Sequence, residues 1–238
     1  MARVISLLCV MLAVTAFPVV AQEAPEFVME WAAGMGGLVD VSVGLDGSVY
    51  VSGWGSNRVR KFTSEGDLLH EWGSSGSAPG QFDGPAGLAV DAAGFVYVGD
   101  MDNHRVQKFT ADGTFVSEWG SYGTEDGQFN RVHDVCVGPS GFIYVVEYYG
   151  DRVQKFTGDG TFVTKWGSWG YGSGEFREPT SVTVDSDGFV YVSEDIGDRV
   201  QKFTSDGEFV LTWGEPGSGD GQFDRPLGLC VNLSLIHI

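Results

Sequence analysis

Basic residues are scarce in this 238-residue chain: 14 Lys and Arg stand against 32 Asp and Glu, a net charge of −18. That shortage argues against nucleic acid as a partner, because binding there relies on Lys and Arg neutralising phosphates. Histidine is also sparse, with four residues, which limits any His-rich metal centre. No CxxC, Walker or nucleophile-elbow motif occurs, and no stretch keeps a 3.6-residue apolar period. Long apolar runs are absent beyond residues 4–20. Glycine, in contrast, is plentiful at 36 residues, and aromatics make up 13%. The chain reads as a globular, glycine-punctuated protein with a real core.

The two ends read differently from the middle. Met1-Ala2-Arg3, the apolar run and Val19-Val20-Ala21 have the order of a secretory signal cut after Ala21. Residues 1–21 are therefore expected to leave, placing the mature chain outside the cytoplasm, secreted or periplasmic, with no membrane span. Residues 233–238 break the pattern that precedes them. They resemble a translated sequencing adaptor and are expected to be non-native.

Between the ends one unit recurs every 47 residues: Trp72, Trp119, Trp166 and Trp213; Tyr50, Tyr97, Tyr144 and Tyr191; Arg58, Arg105, Arg152 and Arg199. Such a period marks a solenoid, propeller or array. Cys136 and Cys230 occupy the same place two units apart, so they are expected to be separate thiols. Each unit holds four short β patterns. In the second, Gly87–Asp91 is apolar, Phe95–Val98 is continuously apolar, Arg105–Phe109 alternates, and Asp112-Gly113 marks a hairpin before a fourth strand. The reading is all-β, with four-stranded antiparallel blades.

Pro85-x-Gly87-Leu88-Ala89-Val90-Asp91, Gly94-x-Val96-Tyr97-Val98-x-Asp100 and Asn103-x-Arg105-Val106-Gln107-x-Phe109 resemble the NHL repeat. The resemblance covers residues 26–232 and implies a β-propeller, most often six-bladed. Four units are full here, flanked by Glu26–Trp31 and by a fifth unit begun at Gly221, so the ring is expected to be incomplete and to expose unpaired edges.

Tight glycine turns link strands one to two and three to four, whereas strand two to three and blade to blade are joined by longer, varied loops. Such loops on a rigid scaffold are where binding residues gather. Trp54, Met101, Tyr148, Tyr149 and Ile196, with Trp169 and Tyr171, offer stacking area for a peptide, protein or glycan. The same face carries Asp100, Glu147, Glu194, His104 and His133, a possible set of Ca or Zn ligands. Arg131, His133 and Asp134 replace the Gly-Pro-type start of an inner strand and form a candidate acid–base or anion site. The leading expectation is a non-catalytic binding scaffold. The alternatives are a lyase or hydrolase at the channel mouth, which a resemblance to the zinc-dependent peptidyl-hydroxyglycine amidating lyase implies, and a structural surface module.

Overall fold

The computed structural model describes residues 35–231. The expected signal segment, the Glu26–Trp31 strand and the 233–238 tail lie outside the described residues. Sixteen strands form four antiparallel sheets, each in sequence order. The first blade holds β1 (Leu38–Val43), β2 (Val49–Gly53), β3 (Arg58–Phe62) and β4 (Leu68–Trp72). The second holds β5 (Pro85–Val90), β6 (Val96–Asp100), β7 (Arg105–Phe109) and β8 (Phe115–Trp119). The third holds β9 (Val132–Val137), β10 (Ile143–Glu147), β11 (Arg152–Phe156) and β12 (Phe162–Trp166). The fourth holds β13 (Pro179–Val184), β14 (Val190–Glu194), β15 (Arg199–Phe203) and β16 (Phe209–Trp213). Strands β1, β5, β9 and β13 adjoin one another in succession, so they line the axis.

Burial follows the sequence pattern. Strands β6 and β10 are buried along their whole length, while the outer β8 and β12 alternate. Each core lies between blades: Tyr50, Val59, Phe82, Leu88, Val96, Val98 and Phe109 pack across the first junction. The hairpin glycine of one blade seats on the tryptophan of the blade before. A Cβ on Gly113 would lie 2.6 Å from Trp72 Cδ2, and Gly160 and Gly207 stand in the same relation to Trp119 and Trp166. On β1, Leu38, Val41 and Val43 are exposed where no described blade covers them.

A buried network ties each linking loop to its blade. Arg105 Nε donates to Asp100 Oδ2 at 2.8 Å, and its other nitrogens reach the carbonyls of Ser77, Ala78 and Gln81. Gln107 donates to both Gln81 O and Asp100 Oδ2. Arg152 with Glu147 and Gln154, and Arg199 with Glu194 and Gln201, repeat the arrangement. The first blade has Gly53 in place of the carboxylate, and Arg58 turns to Glu71 instead. Cys136 is a free thiol, as expected.

Candidate functional site

Two rows of hydrogen bonds join successive blades near the axis. In the first, a side chain accepts the N–H that opens the next inner strand: Asn57 from Gly84, His104 from Arg131, Asp151 from Glu178 and Asp198 from Arg225, at 2.8–3.1 Å. Both members of every pair have positive φ, with His104 at 55° and Arg131 at 69°. In the second row, Asp40 accepts from Leu88 N at 2.7 Å, and Asp134 from Val182 N at 2.9 Å and Ser181 Oγ at 2.8 Å. Gly87 sits at the equivalent place between Asp40 and Asp134, and a Cβ there would lie 2.2 Å from Asp134 Oδ1.

Above these rows, at the channel mouth, lies a cleft of about 330 Å³. Its lining comes from a few repeat positions: Trp54, Met101, Tyr148 and Asp195 share one, and His133, Thr180 and Leu227 share another. Arg131 and Tyr149 complete it. Within this chain, the places that stay constant build the blades, and the places that vary meet in the cleft.

His133 is set in one protonation form by its neighbour. Its Nδ1 lies 2.7 Å from Thr180 O, a carbonyl that can only accept, so Nδ1 carries the proton and Nε2 keeps its lone pair. Burial pulls its pKa below the usual imidazole value, so the ring is neutral at pH 7. The ring stacks on Tyr148, with centroids 5.3 Å apart. Tyr148 Oη donates toward Glu178 and Asp195, and burial with these two carboxylates raises its pKa. Arg225 grips Asp195 with two bonds of 2.6 and 2.8 Å, which hold that carboxyl below its ordinary range.

The expected residues thus divide. Trp54, Met101, Tyr148 and Tyr149 come together in the cleft with Arg131 and His133. Asp134 does not: its oxygens are taken by Ser181, Val182 and Val135, away from His133. Trp169, Tyr171 and Ile196 form a separate rim patch with Arg177, whose guanidinium lies 4.3 Å from the Tyr171 ring and bonds Ile196 O.

The expected metal set is not assembled. Asp100, Glu147 and Glu194 are buried in three different blades, each committed to its own Arg and Gln. His104 spends Nδ1 on Arg131, and His133 spends Nδ1 on Thr180. Among the described residues, no group of three or more His, Cys, Asp or Glu is arranged to hold a metal ion. The described residues do not fit the zinc that the lyase resemblance implies. No helix among them is long and apolar enough to cross a membrane.

Thr180 and Leu227 were not singled out as site residues by sequence. Their signal was there: each stands 47 residues, or a multiple of 47, from a residue that was.

The NHL repeat family model matches residues 82–109 and 129–156, within the second and third units. No curated protein matches the chain. Among solved structures, a streptogramin B lyase is 20% identical with a TM-score of 0.59, covering 76% of this chain and 56% of its own. A catalytically inactive virginiamycin B lyase from Staphylococcus aureus with quinupristin is 19% identical with a TM-score of 0.61, covering 80% and 58%. A nidogen/laminin complex is 14% identical with a TM-score of 0.59, covering 82% and 68%. The chain spans less than two thirds of the lyase structures it matches, and at these identities the likeness is one of fold. Two NHL repeats are thus matched within the second and third blades, and the four sheets have the architecture of a β-propeller.

Proposed function

We propose that the channel-mouth cleft is a binding site and that the chain acts as an extracytoplasmic recognition scaffold. The observation that carries this reading is the convergence of the variable repeat positions on one cleft. A structural module alone has no need to gather Trp54 and Tyr149, each about half exposed, into one cleft with a guanidinium. The nidogen/laminin neighbour is consistent with a propeller that engages a partner. The ligand is a peptide, a protein segment or a glycan, and the cleft accommodates a short stretch of any of these. Screening the protein on peptide and glycan arrays tests the reading. Trp54→Ala with Tyr149→Ala should abolish capture while leaving the melting temperature unchanged. Capture that survives both substitutions would refute it.

One observation favours a second reading, a lyase or hydrolase. His133 presents an unprotonated Nε2 at the cleft, as a general base requires, and lyases stand among the fold's neighbours. Incubation with quinupristin, followed by mass spectrometry, provides a direct check. Turnover lost in His133→Ala supports catalysis; no product from the unaltered protein counts against this activity.

A further inference from the structure

Most of the described arginines hold a carboxylate through short bonds; Arg131, in the cleft, does not. Arg105, Arg152 and Arg199 each hold a buried carboxylate and three carbonyls. Arg225 is paired with Asp195 through two short bonds. Arg131 is different. Its guanidinium donates one long bond, from Nη1 to Tyr149 Oη at 3.3 Å. Its Nε approaches Asp102 Oδ1 at 3.3 Å, out of line for a hydrogen bond, and is otherwise an unpartnered buried donor. Charge-assisted bonds between guanidinium and carboxylate normally close to about 2.7–2.9 Å. Nη2 has no acceptor among the described residues. A non-glycine residue at φ 69° holds this side chain at the cleft.

We propose that the Nη edge of Arg131 receives the carboxylate of an apolar or aromatic acid. This rests on the cleft being a binding site, as argued above, and names the class of ligand it takes. The planar donor fork of a guanidinium matches a carboxylate. The apolar body lies against Trp54 and Met101, and Tyr149, whose ring is 5.3 Å from the Arg131 guanidinium, forms the adjoining wall. His133 Nε2 accepts a hydrogen bond from an N–H or O–H near the carboxylate. A single negative charge suits the site better than a dianion such as phosphate, because Asp102 already lies beside Arg131 and Asp195 lines the same cleft. Arg225, the other arginine near the cleft, is not available for this role, since Asp195 occupies its fork.

The test uses the full chain and two probes that differ in one group, N-acetylphenylalanine and N-acetylphenylalaninamide, titrated by NMR. The acid should bind at least tenfold more tightly than the amide. Arg131→Gln should erase that preference, and Arg131→Lys should keep part of it. Melting curves establish that both variants fold, and Tyr149→Phe, which removes only the long bond, should keep the preference. Equal binding of acid and amide in the cleft would overturn the carboxylate while leaving the binding site standing. No acid binding at millimolar concentration, or inorganic phosphate competing as well as the acid, would overturn it too. A failure of the binding-site reading itself shows separately, as array capture indifferent to Trp54 and Tyr149.

Discussion

His104 accepts the backbone N–H of Arg131 through Nδ1 at 3.1 Å, doing in one blade what Asn57, Asp151 and Asp198 do in the others. A histidine at a channel mouth invites a catalytic or metal role; here its position in the repeat gives it a mechanical one. His104→Asn should therefore fold with near-unchanged stability, since asparagine already does this work at residue 57. His104→Leu leaves the N–H of Arg131 unsatisfied and should lower stability by about 1–3 kcal/mol. Urea denaturation of the two variants makes the comparison, and equal losses would refute the latch.

Gly113 and Gly127 both have positive φ, 85° and 77°, but only Gly113 seats on a tryptophan. Gly127→Ala meets open space and should cost about 1 kcal/mol for the backbone alone. Gly113→Ala adds a collision with Trp72 and should cost about 3 kcal/mol in total. Thermal melts that show the same loss for both would remove the seat from the account of blade packing.

Arg105→Ala strips a buried carboxylate of its cation, because Asp100 is wholly buried and Arg105 nearly so. Breaking one side of such a pair costs about 3–5 kcal/mol. The equivalent change in the first blade, Arg58→Ala, touches only an exposed pair with Glu71 and should cost under about 1 kcal/mol.

Asp134 and Asp40 set a pH dependence with a definite sign. Burial pushes both carboxyls above their ordinary range, and for Asp134 the charge of Asp40 adds to it. A carboxyl raised on folding holds more protons in the native state than in the unfolded one. Stability should therefore fall as pH rises above the usual carboxylate value of about 3.9. Asp134→Asn should flatten that slope while its amide oxygen still accepts Val182 N–H. Chemical denaturation across pH 5 to 8 would show it, and an unchanged slope would point to other groups.

Most of the fold was legible in the sequence, because Trp72, Tyr97 and Arg105 return at one spacing and four β patterns fill each unit. The expected metal set does not come together among the described residues, because Asp100, Glu147 and Glu194 look like an exposed set at one face when read along the chain, whereas the arginine and glutamine of the same blade draw each inward. Asp134 misled because it adjoins His133, and adjacent residues on a strand point to opposite sides. The partnership of His133 with Thr180 crosses from one blade to the next, so local spacing gives no sign of it; only the 47-residue offset does.

The division between constant and variable places has a practical reach. Trp54, Met101, Tyr149 and Leu227 take no part in the side-chain ties that hold blade to blade, yet all four line the cleft. A library randomised at these four codons would explore recognition while leaving the chassis intact, much as interchangeable heads fit one handle. Exchanging a whole blade would carry its own contact residue to the same address.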